Sequence, residues 1–171
     1  MKIECTVDGK HCLFTVNSNK PLNLILMEEM EVPALNSHCR DGNCGNCVVL
    51  LNDEAVLACL TPAFRLKDAR ILTFEGYQKT RFWHDIERAF EDTKSHPCPY
   101  CFASKTLILE SLLQTLGKSE TGGGPGENSP DDATIISEMG LNTCNCLDAH
   151  EIVEIFNTAA AYRRRRRVRR N

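Results

Sequence analysis

Apolar and polar side chains alternate along much of the first 75 residues, with the two-residue period of a strand that is buried on one face. The turn signal Asp8-Gly9 lies between the first two of these segments and predicts a β-hairpin. After Pro21 the apolar residues recur at helical spacing, and Pro33 ends this helix because proline cannot continue the hydrogen-bond ladder. Residues 2–7 show this alternation directly, and further strands are predicted over 11–16, 48–51, 55–60 and 70–74.

From about residue 80 the apolar period becomes helical. It predicts helices around 82–90 and over 106–116, a third that begins with Ser129 as its N-cap and stops at Gly140, and a fourth over 147–161. The glycine-rich segment 117–129 is predicted to be a mobile loop. The fold class is therefore α+β, with a small β-rich domain over residues 1–76, a helical domain over 80–161 and an arginine-rich tail over 162–171.

Composition narrows the class of protein. The chain has 171 residues, of which 42% are hydrophobic and 25% charged, and its apolar runs are too short for a membrane-spanning helix. The first residues lack the basic and apolar regions of a secretory signal, so we expect a reducing, cytoplasmic location. Ten cysteines, about 6% of the chain, are too few for a small disulfide scaffold and are more typical of metal or redox sites.

The charge is unevenly distributed along the chain. Seven arginines lie in the last nine positions, whereas the other 162 residues carry 13 basic and 23 acidic side chains. Such a basic segment is typical of a solvated, disordered tail, and it could also bind nucleic acid, an acidic membrane surface or an acidic patch of a partner subunit. No aromatic residues are interleaved with the arginines, which argues against a specific nucleic-acid site.

Four cysteines in the β-rich part have the spacing C-x4-C-x2-C…C. This is the plant-type ferredoxin pattern for a [2Fe–2S] cluster, and a zinc site is the alternative. Gly42 and Gly45 lie inside the spacing, where they allow positive φ and let backbone N–H groups approach the sulfurs. The members of this first cysteine set are Cys39, Cys44, Cys47 and Cys59.

A second cysteine set lies in the helical part, as one C-x2-C pair and one C-x-C pair. From the spacing alone, a structural zinc, a redox dithiol and an iron–sulfur cluster all remain open. Each pair precedes a predicted helix, where the helix dipole and free N–H groups favour thiolates and an anionic cluster. The members are Cys98, Cys101, Cys144 and Cys146.

The eight cysteines in this order resemble those of the small iron–sulfur subunit of the molybdenum hydroxylases, the xanthine dehydrogenase and aldehyde oxidoreductase family. Segments 56–60 and 71–76 are also similar to that family, and the resemblance runs from about Lys2 to Ala160. It implies an N-terminal β-grasp, [2Fe–2S] ferredoxin-like domain and a C-terminal four-helix bundle. The first cysteine set would bind one [2Fe–2S] cluster, and the second set the other.

The chain departs from the family pattern beside the second cysteine set. Pro97 stands where the family usually has a glutamine that reaches the pterin cofactor, and Asn145 replaces the arginine of the family's C-R-C motif. These changes leave the cysteines in place. They affect the contact with the pterin and the usual partner surface.

The resemblance implies an electron-transfer subunit of an oxidoreductase complex. Single electrons would pass from a molybdopterin centre on a large partner subunit, through the two clusters, to FAD on another subunit. No nucleotide fingerprint or Ser/His/Asp constellation is present, so we expect no catalytic residues and no organic substrate site on this chain. A free-standing ferredoxin-like carrier is the alternative, and a zinc-binding interaction module is a further one.

Overall fold

The computed structural model describes residues 1–35, 39, 41–118 and 129–168. These residues contain a five-stranded sheet in the order β2-β1-β5-β3-β4, in which β1 and β5 are parallel and the other neighbours antiparallel. The strands are β1 (Lys2–Val7), β2 (Lys10–Thr15), β3 (Val48–Leu51), β4 (Glu54–Leu57) and β5 (Arg70–Leu72).

The sheet separates two apolar cores. Strand β1 alternates as predicted and buries one face against helix α1 (Leu22–Met30). Strand β3 is buried on both faces, so Val49 joins the core beneath α1 whereas Val48 joins the core of the helical half. Strand β3 therefore contributes side chains to the cores of both halves of the molecule.

The helical half packs on the other face of the sheet. Its helices are α2 (Phe74–Tyr77), α3 (Trp83–Thr93), α4 (Phe102–Lys118), α5 (Asp132–Met139) and α6 (Ala149–Val168). Aromatic rings at the start of α2, α3 and α4 pack edge to face, with Trp83 centroids 6.0 Å from Phe74 and 6.1 Å from Phe102. No described helix has the length and apolar character needed to cross a membrane.

Several predicted boundaries were wrong by a few residues. Helix α5 begins later than predicted, because Asp131 rather than Ser129 is its N-cap and accepts a 2.8 Å hydrogen bond from Thr134 N–H. The strand predicted over 55–60 ends at Leu57 and continues as the 3₁₀ turn Ala58–Leu60, whereas β5 ends at Leu72 because α2 starts two residues later. Most of the predicted mobile loop 117–129 lies outside the described residues.

The prediction of a solvated, disordered arginine tail was wrong for residues 162–168. Helix α6 continues to Val168, and the Arg163 side chain is only 1% exposed. Its guanidinium forms ion pairs with Asp85 of α3 and Glu110 of α4, both of which are also buried. A run of identical residues could not reveal that one of them is a core residue, because the partners are 78 and 53 positions away.

Candidate metal centres

The second cysteine set converges at one end of the helical half. Cys98 and Cys101 precede α4, and Cys144 and Cys146 precede α6, as the sequence predicted. All four sulfurs lie within 4.8 Å of one another, the only such group of potential metal ligands among the described residues. The shortest separations are 3.3 Å between Cys101 and Cys146, 3.5 Å between Cys98 and Cys101, and 3.7 Å between Cys98 and Cys144.

Local backbone structure orients these thiols. The turn that leads into α4 is closed by a 3.1 Å hydrogen bond from Cys101 N–H to the Cys98 carbonyl. The Cys98 N–H donates to Cys146 Sγ at 3.3 Å, which ties the two pairs together. Cys101 is fully buried whereas Cys146 is exposed, so one side of this group faces solvent.

The thiols of the second set differ in acidity. Desolvation raises the pKa of Cys98, but hydrogen bonds from the Cys101 backbone and from the Cys101 and Cys144 thiols outweigh it and lower the pKa to about 7. Burial raises the pKa of the Cys101 thiol well above its usual value. The lowered pKa of Cys98 favours the thiolate form that binds a metal ion, and metal binding would displace the proton that burial favours on Cys101.

The first cysteine set is arranged as two pairs rather than one compact group. The Cys39 sulfur contacts the backbone N–H of Cys44, and the Cys47 sulfur contacts the backbone N–H of Cys59. Burial raises the pKa of the Cys47 thiol to about 12. Two pairs suit a binuclear site, in which each metal ion takes two protein thiolates.

Backbone N–H groups point at three sulfurs of the first set. Cys44 N–H donates to Cys39 Sγ at 3.3 Å, and Cys59 N–H donates to Cys47 Sγ at 3.4 Å. A third bond of 3.5 Å runs from Asn46 N–H to Cys44 Sγ. Such donors stabilise negative charge on thiolate sulfur, which is what a metal–thiolate centre requires.

Gly42 and Gly45 both adopt positive φ, at +84° and +70°. A Cβ atom at Gly45 would lie 2.2 Å from the Leu141 carbonyl oxygen and 2.5 Å from Asn142 Cα. A Cβ atom at Gly42 would meet only the Leu60 side chain, at 2.7 Å. Gly45 is therefore required by the backbone of the helical half, which passes directly over the first cysteine loop.

Asn142 joins the two cysteine sets, and the sequence analysis missed it. Its buried side-chain amide donates to the Gly45 carbonyl at 3.0 Å and to Asn46 Oδ1 at 2.6 Å. Its own Oδ1 accepts a 3.0 Å hydrogen bond from Cys144 N–H. A single asparagine shows no periodicity or motif spacing that could have indicated this role. Its position two residues before Cys144 was the only available signal, because asparagine side chains often accept a hydrogen bond from the backbone N–H two residues later.

Thr143 reinforces the same contact. Its N–H and hydroxyl both donate to the Cys44 carbonyl, at 3.4 Å and 3.2 Å. Thr143, the residue directly before Cys144 of the second set, is thus hydrogen-bonded to the backbone of Cys44 of the first set. The two departures from the family pattern lie nearby, with Pro97 buried and Asn145 exposed.

Comparison with known proteins finds relatives of this chain both in sequence and in structure. No family model matches the chain. One of the subunits of nicotinate dehydrogenase from Pseudomonas putida is 26% identical over 163 residues, which cover 95% of this chain and 97% of that protein. The iron–sulfur-binding subunit of an aldehyde oxidoreductase from Escherichia coli O157:H7 is 28% identical over 166 residues, covering 94% of this chain and 72% of the relative. A chain of quinoline 2-oxidoreductase from Pseudomonas putida 86 has a TM-score of 0.73 at 23% identity, with 96% of each chain covered.

These comparisons confirm the resemblance inferred from the cysteine motifs. The relatives in sequence are named as subunits of dehydrogenases and oxidoreductases, and their similarity extends along nearly the whole chain. The structural likeness shows that the chain shares its mixed α/β fold with a chain of quinoline 2-oxidoreductase.

Proposed function

We propose that this chain is the iron–sulfur electron-transfer subunit of a multi-subunit oxidoreductase of the molybdenum hydroxylase type. The observation that carries the proposal is the convergence of Cys98, Cys101, Cys144 and Cys146 on one point, from two segments more than 40 residues apart. The named functions of the relatives in sequence support the same conclusion.

The ligand sets follow from the two groups of thiols. The second cysteine set would hold one [2Fe–2S] cluster, and the first set, Cys39, Cys44, Cys47 and Cys59, would hold another. When bound, such a cluster takes up and releases one electron at a time, as a relay between molybdopterin and FAD on partner subunits requires. The chain's own backbone N–H groups would stabilise the sulfurs, and Gly42 and Gly45 would keep the first loop close to them.

The domain division is part of the proposal. We assign residues 1–76 to a β-grasp, ferredoxin-like domain and residues 80–161 to a four-helix [2Fe–2S]-binding domain. The two apolar cores on opposite faces of β3 support two units. We also propose the reducing, cytoplasmic location that the sequence predicts, where cysteines more often bind metal than form structural disulfides.

A structural zinc site is the second candidate for Cys98, Cys101, Cys144 and Cys146. Four thiolates about 2.3 Å from one zinc ion stand about 3.8 Å apart at the corners of a tetrahedron. The observed separations of 3.3 to 3.7 Å are close to that value. A diiron core holds the thiolates of its two irons farther apart, so iron binding requires this group to open.

Metal analysis separates the two candidates. The protein is purified without oxygen, and its iron, acid-labile sulfide, zinc and molybdenum are measured, followed by EPR of the dithionite-reduced form. Two distinct iron–sulfur signals are expected, together with a large partner subunit that carries molybdenum. Zinc at the second set without a second iron–sulfur signal would support the alternative, and an iron-loaded monomer without a partner would indicate a free-standing carrier.

Serine substitutions test the assignment of the ligands. Cys44→Ser is expected to remove one EPR signal and spare the other, and Cys144→Ser to do the converse, because each ligand belongs to a different set. Cys12→Ser is the matched control, since Cys12 lies in the first hairpin opposite Cys5 and should preserve both signals. Loss of both signals in Cys44→Ser would argue against two separate sites.

A further inference from the structure

A cleft of about 450 Å³ lies between the first turns of α3 and the last turns of α6. Four arginines line it, namely Arg81, Arg88, Arg165 and Arg166. Along α6, Tyr162 in this cleft is 13 residues beyond Ala149, so the cleft is about 20 Å from the start of the helix that follows Cys146. A ligand bound here would therefore act apart from the cysteines.

Nearby carboxylates offset only part of the positive charge of the cleft. Asp85, the acidic residue in its lining, is buried and already pairs with Arg163 at 2.5 Å and with Arg166 at 2.6 Å. Two further acidic residues nearby have other partners, since Glu87 pairs with His84 and Asp92 accepts the Tyr162 hydroxyl hydrogen.

Three guanidinium groups remain without a carboxylate. Arg81, Arg88 and Arg165 are exposed, and no acidic side chain of the described residues lies within 4.0 Å of them. Exposed arginines that crowd together repel each other, and a bound anion relieves that repulsion.

Aromatic rings hold these arginines in place. The guanidinium carbon of Arg88 lies 5.0 Å from the Tyr162 ring centroid, and that of Arg165 lies 6.0 Å from it. Arg81 lies 5.0 Å from the Phe82 centroid. Because cation–π contacts restrict these side chains before a ligand arrives, binding costs less side-chain entropy.

We propose that this cleft docks an acidic segment of a partner polypeptide through several carboxylates. This inference rests on the proposed function, because a subunit of a complex meets partner chains. The arginines without a carboxylate partner lie over two different aromatic rings, so their positive charge is distributed along the cleft. The exposed Arg164 extends this positive surface along α6. Planar guanidinium groups bind carboxylates through paired hydrogen bonds, so a row of Glu or Asp side chains complements this surface.

A fluorescent octaglutamate peptide is the probe, and its anisotropy is measured with the full-length protein at about 20 mM and about 0.5 M salt. Binding at low salt that is lost at high salt is expected. The double variant R88A/R165A should bind about tenfold more weakly, since it removes two of the arginines that would pair with the peptide's carboxylates. R81A/R88A is a second variant with the same expectation.

The control R65A/K67A removes the same amount of charge from exposed residues outside the cleft, and should leave affinity within about twofold. A loss in the control R65A/K67A equal to that in R88A/R165A, or no peptide binding at low salt, would overturn the proposal. Tighter binding of inorganic pyrophosphate than of octaglutamate would also overturn it, by indicating a small phosphate ligand. Iron content and EPR are measured on the same samples, so a failure of the proposed function is seen separately from a failure of docking.

Discussion

Gly45 is a single residue that satisfies two demands at once. Its φ of +70° is unfavourable for any residue with a Cβ atom, and the Leu141–Asn142 backbone occupies the space where that atom would be. The first demand comes from the loop itself, and the second comes from the helical half. The same glycine thus shapes the first cysteine loop and allows Asn142 to reach it.

We expect Gly45→Ala to lower the free energy of unfolding by more than the strain of its positive φ, because the new Cβ atom would also clash with the Leu141 carbonyl. The strain of the left-handed conformation costs about 1–2 kcal/mol, and the contact with the Leu141 carbonyl adds to it because backbone must move. Urea denaturation measures the loss. Gly9→Ala is the matched control, since Gly9 has φ +79° but no atom within 4 Å of a Cβ position. Equal losses in the two variants would contradict the close contact.

At the scale of elements, Arg163 joins α6 to α3 and α4, and Glu110 extends the same network to α2. It donates to both carboxylate oxygens of Glu110 on α4, at 3.0 Å and 2.7 Å, and to Asp85 on α3. The hydroxyl of Tyr77 on α2 also donates to Glu110, at 2.6 Å. Burial by itself lowers the pKa of Arg163, but the two carboxylates outweigh it and raise the pKa, so the guanidinium stays charged.

Arg163→Ala is expected to lower the free energy of unfolding by about 3–5 kcal/mol, because it leaves Glu110 buried without its cation. Arg164→Ala, one residue further along the same helix and exposed, should change it by no more than about 0.5 kcal/mol. Thermal and urea unfolding of both variants make the comparison. A small effect of Arg163→Ala would mean that α6 is anchored mainly by its apolar face.

At the scale of the whole molecule, the segment before α6 is hydrogen-bonded to the first cysteine loop and also carries two cysteines of the second set. The second set ties the starts of α4 and α6, while Asn142 and Thr143 tie the segment before α6 to the first cysteine loop. Order at one set is therefore expected to affect the other. The β1–β2 hairpin lies at the far edge of the sheet and takes no part in this contact.

Removing the metal tests this coupling. A metal that binds only the folded state stabilises it, so chelation should lower the melting temperature. Amide hydrogen exchange should accelerate around residues 98–105 and 141–149, and also at residues 44–46, while the β1–β2 hairpin keeps its protection. Uniform acceleration across the chain would contradict a local connection through Asn142.

Much of the fold could be predicted from local patterns. The alternation that predicts β1 and the position of each cysteine pair before a helix are confirmed, because both depend on nearby residues. The N-cap of α5 was misplaced because Ser129 and Asp131 are both good capping residues, and only the hydrogen bond to Thr134 distinguishes them. The roles of Arg163 and Asn142 were missed because their partners are distant in sequence.

The sequence by itself determined the spacing of eight cysteines, from which the candidate ligands were predicted, and it determined which faces of strands and helices are apolar. Only the tertiary structure decided that Arg163 belongs to the core, that Asn142 bridges two cysteine sets and that three neighbouring arginines are left without carboxylates. The physical reason is that periodicity and spacing report interactions between near neighbours, whereas burial and charge pairing depend on which distant segments fold against each other.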